Sequence, residues 1–431
     1  MLSIFYTFLP LLFIFNWANS IMSMMVLMML LMVYFYHYFS FSLVMIFSLS
    51  SLNSVMMFLS VVVCCFAFIS TPEIKKFKYM FCISVLGFIL MIAFSMENYI
   101  LFYVFFEASL VPTLFLVVFW GYQPERLQAG YYMMIYTVSA SLPLLVILLY
   151  LFKQESSMMF YFINVNYLYL MIMILMAFLV KMPMYMLHFW LPKAHVEASL
   201  AGSMILAGVL LKLGGYGLIK MMKMFNLSGF KNIFIIFLVS ISVWGGFLAS
   251  IQCMRQNDMK SFVAYSSVAH MSLVMVGILI DQLWGIVSSI ITMFAHAFSS
   301  SALFCLTYFT YKKVNSRNMN YMSGMLSTFP ILAVMWFVFC SINMAAPPTM
   351  NLVGEMFIVP SMMSLSLLFM VMMAVMIFLS GLYNMYLYTM INHGKLSIYI
   401  NPSFSMKSYQ YTSLLFHFLP FFFLMKLEIF I

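Results

Sequence analysis

Apolar runs of about twenty residues follow one another along almost the whole chain, and this repetition restricts the fold more than any motif. A helix needs about 20 residues to cross a bilayer. Within hydrocarbon its amides must be satisfied inside the segment, so each run predicts a membrane helix. Fourteen runs are readable in the 431 residues: 2–18, 21–39, 52–70, 79–95, 98–119, 129–151, 166–188, 198–221, 232–252, 258–280, 283–310, 328–358, 362–390 and 411–430. Short gaps with Gly, Pro, Asn and Ser separate them, and none could hold a folded soluble domain. Only 7% of the residues are charged and 66% are hydrophobic. Soluble domains carry about 25% charge, so a soluble, disordered or fibrous protein is excluded. The chain is expected to be an all-α polytopic membrane protein with about fourteen transmembrane helices. Residues 1–18 have no charged n-region and no small-residue cleavage site, and are expected to form the first helix rather than a signal peptide.

The net charge of +9 is no nucleic-acid signal, because the basic residues stand singly or in short clusters between apolar runs. They report topology instead. With each loop numbered by the helix it follows, twelve of the 19 basic residues fall in odd loops, among them Lys75, Lys76, Lys78, Lys312, Lys313 and Arg317. Only Lys153, Lys220, Lys223 and Lys231 fall in even loops. Odd loops are therefore expected on the side where the chain is made, with both termini on the other. Cys64, Cys65, Cys82, Cys253, Cys305 and Cys340 lie in or beside apolar runs with no C-x-x-C pair, and read as small hydrophobes. No packing requirement explains 49 Met, 48 Phe and 27 Tyr. An AT-rich genome in which an isoleucine codon is read as Met, as in many animal mitochondria, does explain them, and points to organellar encoding.

Two runs are interrupted by proline: the seventh at Pro183, just after Lys181, and the twelfth at Pro347 and Pro348, ahead of Glu355. Proline breaks or kinks a helix, and lipid tolerates a break only where protein or a wet cavity surrounds it. The breaks are five helices apart, as an inverted repeat would place them, and broken helices at matching positions point to a transport site. Incidental kinks are the other reading. An ionisable group at mid-bilayer costs about 2.5–3.5 kcal/mol on insertion scales, so such residues are functional candidates. Six qualify: Glu107, Lys181, Lys212, His270, His296 and Glu355. Desolvation drives lysine and carboxylic acid alike towards neutrality, and a nearby opposite charge reverses this, so a lysine that gains and loses a carboxylate partner is a proton switch. A static buried ion pair is the alternative for Glu107 and Lys181, and a hydrogen-bonded core histidine for His270 and His296. His37, His393 and His417 lie near run ends and are given interfacial roles. Arg255, Asp258 and Lys260 read as a loop charge cluster at a helix start. There is no nucleotide, flavin, haem or iron–sulfur motif, so no cofactor is expected in this chain.

The stretch HFWLPKAHVEASLAGSMILAGVLLKLGGYG at 188–217 resembles the signature of the subunit-4 family of NADH dehydrogenase, antiporter-like membrane subunits of mitochondrial respiratory complex I. FFEASLVPT, GYQPERLQAGYY, RQNDMKSFVAYSSVAHM, FAHAFSSSALF and APPTMNLVGE follow in the family's order across residues 100–360. The family's Pro after VEA is Ser199 here. The resemblance implies two inverted five-helix repeats: residues 1–78 as three leading helices, 79–230 and 231–392 as the repeats, and 393–431 as the last helix. It implies that Glu107 pairs with Lys181, that Lys212 continues a polar axis, and that His270, His296 and Glu355 lead outward. It further implies proton pumping in the mitochondrial inner membrane with both termini facing the intermembrane space. NADH, FMN, iron–sulfur clusters and ubiquinone would be held by other subunits of the assembled complex. The expected partners are those subunits, including neighbouring antiporter-like ones, and membrane lipids. A subunit of a multisubunit cation/proton antiporter and a purely structural scaffold are the rival readings, and six buried ionisable residues argue against the scaffold.

Overall fold

A computed structural model of the chain describes residues 8, 16–35, 42–44, 47–155, 160, 168–225, 230–400 and 406–424. The run expected at 2–18 lies almost entirely outside the described residues, as does the end of the fourteenth. The helices group into two compact units. The first is Met1–Pro183, Glu197–Phe237 and Glu428–Ile431, and the second is Met184–Val196 and Leu238–Leu427. Among the described residues nine helices are long and apolar enough to cross a membrane, and four shorter apolar helices accompany them.

In the first unit α1 (Trp17–Phe35) leads through a small antiparallel ribbon, β1 (Ser42–Val44) and β2 (Phe47–Leu49), to α2 (Ser51–Ser70) and α3 (Phe77–Ser95). This ribbon is the one departure from an all-helical chain among the described residues. Then come α4 (Tyr99–Ala108), α5 (Leu110–Val118), α6 (Arg126–Glu155) and α7 (Leu168–Lys181). A short α8 (Trp190–Glu197), all but its last residue in the second unit, separates α7 from α9 (Leu200–Ile205), a π-helical turn (Leu206–Leu210) and α10 (Leu211–Met222). α2 packs against α1, α3 and α9, and α10 against α7. The span Leu200–Met222 is wholly buried, so α9 and α10 form the centre of this unit. Polar caps set the helix starts: Ser50 accepts from the Asn53 amide, and Asn98 from the amides of Ile100 and Leu101. Ser199 caps α9 by accepting from the Gly202 amide. Its hydroxyl also lies 3.3 Å from the Leu116 carbonyl. The helix that the family opens with proline thus opens here with a serine cap.

α11 (Phe230–Met254) continues into the second unit, which holds α12 (Met259–Ile280), α13 (Leu283–Val314), a short α14 (Met325–Thr328), α15 (Pro330–Asn343), α16 (Met350–Met363), α17 (Leu367–Asn392), α18 (Ser408–Phe416) and α19 (Pro420–Phe423). α13 is central and packs on α12, α15 and α16. α12 and α13 end on Asp281 and Asn315 at positive φ, residues that tolerate the left-handed region. Buried hydroxyls bond within their own helices, as from Ser266 to the Val263 carbonyl and Ser272 to that of Ala269. This satisfies them where no water is available.

Both expected breaks are present. α7 stops at Lys181 and α15 at Asn343, with α16 restarting only at Met350. Three irregularities were not foreseen: Ser109 interrupts the fifth run, a π turn the eighth, and a turn at 417–419 the fourteenth. Several placements need correction, and Lys312 and Lys313 lie in the last turn of α13. Lys220 is no loop charge; it lies buried in the last turn of α10. Lys193 lies in α8. Lys260 is buried in the first turn of α12, its Nζ 3.3 Å from the Val196 carbonyl, so the loop cluster keeps only Arg255 as an exposed charge. His417 is buried, whereas His393 is exposed at the end of α17 and His37 lies outside the described residues.

Candidate functional site

In the first unit the site begins at the two interruptions. Ser109 ends α4 two residues after Glu107, and its hydroxyl bonds to the Phe106 carbonyl at 2.7 Å. Pro183 cannot continue α7, whose last regular amide bond, from Met182 to the Phe178 carbonyl, leaves Lys181 on the final turn. Met186 beyond it has φ 78°, rare for a side chain of its size. Lys181 Nζ donates to the Phe106 carbonyl at 2.9 Å and lies 3.9 Å from Glu107 Oε1. The lysine therefore has a firm hydrogen bond to a carbonyl beside the break and a looser charge contact to the carboxylate. At 3.9 Å the ion pair is not a hydrogen bond, so a small rotation opens or closes it.

Lys212 lies two residues beyond the π turn, and its Nζ donates to the Ala207 carbonyl at 2.5 Å. Single π turns recur at functional sites because they displace carbonyls from the regular ladder. Gly214 permits the close approach of α10 to α7: a Cβ there would lie 2.8 Å from Met182 Cγ, 3.1 Å from the Met182 amide and 3.3 Å from Lys181 Cβ. Gly214→Val is expected to push the end of α7 away and destabilise the chain by about 1–3 kcal/mol. A thermal unfolding midpoint unchanged from that of the unmodified protein would contradict this.

The same face of α10 carries a pair that sequence reasoning missed. Lys220 Nζ donates to Glu97 Oε1 at 2.6 Å, with side-chain exposures of 4% and 0%. Lys212, Tyr216 and Lys220 recur every four residues, and that spacing was the available signal. Tyr216 Oη lies 3.0 Å from Asn53 Oδ1 and 2.9 Å from the Phe94 carbonyl.

In the second unit the structure brings His270, His296 and Glu355 together. His270 Nδ1 is 4.0 Å from Glu355 Oε1. Its Nε2 is 3.2 Å from Tyr383 Oη, and its ring centroid is 5.3 Å from that of His296. Tyr383 donates to Nε2 or accepts from it according to the tautomer of His270. A cavity of about 10 Å³, lined in part by Ser250, Ser380, Tyr383, His270 and Glu355, adjoins the pair. Ser300 bonds to the His296 carbonyl at 2.7 Å. At the α15–α16 break Asn351 Nδ2 donates to the Ile342 carbonyl at 2.8 Å, and Asn343 Nδ2 to Asn384 Oδ1 at 3.0 Å. The side chains of Tyr383, Asn343 and Asn384 in this network were also missed, since uncharged polar residues do not stand out in an apolar run. Among the described residues no three His, Cys, Asp or Glu side chains converge as a metal site requires.

A polytopic helical protein with buried lysine, histidine and carboxylate groups at broken helices has the architecture of a membrane ion transporter. Residues 96–380 match the family described as NADH:quinone oxidoreductase/Mrp antiporter, TM. NADH-ubiquinone oxidoreductase chain 4 of Albinaria caerulea is 45% identical over 387 residues, covering 89% of this chain and 88% of the relative. That of Ceratitis capitata is 43% identical over 346 residues, covering 78% and 77%. The chain belongs to the family of NADH-ubiquinone oxidoreductase chain 4. Its fold is that of a chain in respiratory complex I from Thermus thermophilus with bound NADH, with a TM-score of 0.86, 16% identity, and 96% and 94% of the two chains covered. It is also similar to a chain of the Mrp complex from Dietzia sp. DQ12-45-1b, with a TM-score of 0.76, 14% identity, and 89% and 83% covered.

Proposed function

We propose that this chain is a proton-translocating membrane subunit of NADH:ubiquinone oxidoreductase in the mitochondrial inner membrane. Fourteen helices would cross that membrane, ten of them as two inverted five-helix repeats. Glu107, Lys181 and Lys212 carry protons in the first unit, and His270, His296 and Glu355 in the second. The observation that supports this most directly is the loose Lys181–Glu107 contact of 3.9 Å between two helix interruptions. When the pair closes both groups are charged; when it opens, desolvation favours the neutral amine and a proton leaves. Moving that proton outward against the potential takes about 2.3 kcal/mol per 100 mV. NADH, FMN, iron–sulfur clusters and ubiquinone belong to other subunits, so the redox reaction drives this chain from outside it. Lipids and neighbouring antiporter-like subunits are the partners expected around it.

Similarity in fold to the Mrp complex favours a second reading, a subunit of a free cation/proton antiporter. Mass spectrometry of the purified assembly separates the two: co-purifying flavin and iron–sulfur polypeptides support the complex I reading, and their absence sinks it. The orientation is tested separately. Because most loop lysines and arginines fall in odd loops, cysteines introduced at Lys76 and Lys312 should both be labelled only from the matrix side of inner-membrane vesicles. Labelling of the two from opposite sides would overturn both the helix count and the orientation.

A further inference from the structure

We propose that Tyr383 is a positioning residue for His270: its hydroxyl turns between donor and acceptor, so that the buried Nε2 keeps a hydrogen bond whichever ring nitrogen carries a proton. This deepens the proton-translocating reading above and rests on it. α17 buries one stripe at helical spacing from Met373 to Ile391, and Ser380, Tyr383 and Asn384 are its polar members. Asn384 is tied on both sides: its Oδ1 accepts from Asn343 Nδ2 at 3.0 Å, and its Nδ2 donates to the Ser380 carbonyl at 2.8 Å. Tyr383, next to it, is 0% exposed. Its ring packs T-shaped on that of Phe262, and its Oη lies 3.2 Å from His270 Nε2. His270 Nδ1 is 4.0 Å from Glu355 Oε1, beyond hydrogen-bond length. The shorter contact, to Tyr383, therefore sets the orientation of the ring.

A histidine that carries protons passes through three forms, and burial makes an unpartnered nitrogen costly in each. With the proton on Nδ1, the Nε2 lone pair needs a donor. With the proton on Nε2, or in the imidazolium, Nε2 needs an acceptor. A hydroxyl can be both, whereas a carbonyl or an amide N–H is only one. The contrast is His417, whose Nδ1 faces the Ser413 carbonyl at 2.6 Å and so holds its proton in every form. When Tyr383 accepts from Nε2, its own proton must turn elsewhere. The cavity of about 10 Å³ gives it that direction, since Tyr383 lines it with Ser250, Ser380 and Glu355, and a water needs roughly 10–15 Å³. When the imidazolium yields its Nδ1 proton to the Glu355 carboxylate, the N–H electron pair stays on Nδ1 as a lone pair. The carboxylate becomes a neutral acid, and the neutral ring keeps Nε2–H on Tyr383. The phenol holds its own proton throughout.

The alternative is a hydroxyl that only fastens α17 to α12. Tyr383→Phe in the assembled complex, reconstituted in vesicles, removes the hydroxyl and keeps the ring. It should assemble in the normal amount on native gels. The protons moved per NADH oxidised, read with an entrapped pH dye, should fall as far as they fall in His270→Gln. Infrared difference spectra with and without NADH, on complex carrying ring-labelled tyrosine, give the second readout, because the phenol C–O stretch moves when the hydroxyl passes from donor to acceptor. The unmodified complex should show a tyrosine band pair that both Tyr383→Phe and His270→Gln lack. A normal ratio in Tyr383→Phe, its failure to assemble, or the same tyrosine spectrum in all three complexes would overturn the proposal. A normal ratio in His270→Gln would instead overturn the proton-translocating reading of the second unit on which the proposal rests.

Discussion

Lys181→Met is expected to leave the complex assembled and to abolish the proton transport that passes through this chain, slowing the coupled quinone reduction with it. Methionine keeps the length and apolar contacts of the lysine stem, which limits the packing cost. The partner left behind, Glu107, keeps 20% side-chain exposure, against 0% for Glu97 in the tighter pair. What is lost is the exchangeable proton at the end of α7. Lys181→Arg should fail as well, because a guanidinium keeps its proton at any accessible pH. Proton uptake by vesicles during NADH oxidation is the readout. A Lys181→Met complex that assembles and pumps at the normal ratio would eliminate the switch.

The second large effect is expected at Lys220, and it is of a different kind. The Glu97–Lys220 contact is 2.6 Å, against 3.9 Å for Glu107–Lys181, and Glu97 is fully buried. Removing one partner of such a pair strands a buried charge and costs about 3–5 kcal/mol. That is a large part of the roughly 5–15 kcal/mol by which folded proteins are stable. Lys220→Met should therefore reduce the amount of assembled complex, whereas Lys181→Met should not. Removing both charges, with Glu97→Gln added to Lys220→Met, should recover most of the loss, because no unpaired charge remains. Native-gel yields from the single and double variants check this. A single variant as abundant as the unmodified chain would show that the pair is not a clamp. Distance and burial thus distinguish two lysine–glutamate pairs in one unit, one loose and partly exposed, the other tight and sealed.

Much of this molecule was readable from local rules. The length of the apolar runs determines that the chain spans a membrane, since each run must satisfy its own amides in hydrocarbon. Pro183 and the Pro347–Pro348 pair mark the breaks, because a missing amide acts within one turn of the helix. Glu107, Lys181, Lys212, His270, His296 and Glu355 stand out because charge in an apolar run is costly wherever the run packs. Only the tertiary structure could decide which of these groups meet. Glu97 and Lys220 are 123 residues apart, and nothing near either one indicates the other. Lys220 counts as a loop charge by position and becomes a buried clamp only because α10 is wholly enclosed by its unit. His417 reads as a residue near a run's end, yet its burial depends on where neighbouring helices close over the side chain, not on its place in the run. Helix periodicity acts along one segment, while an ion pair or a cavity is made by several segments at once, so the pairs and the cavities belong to the fold.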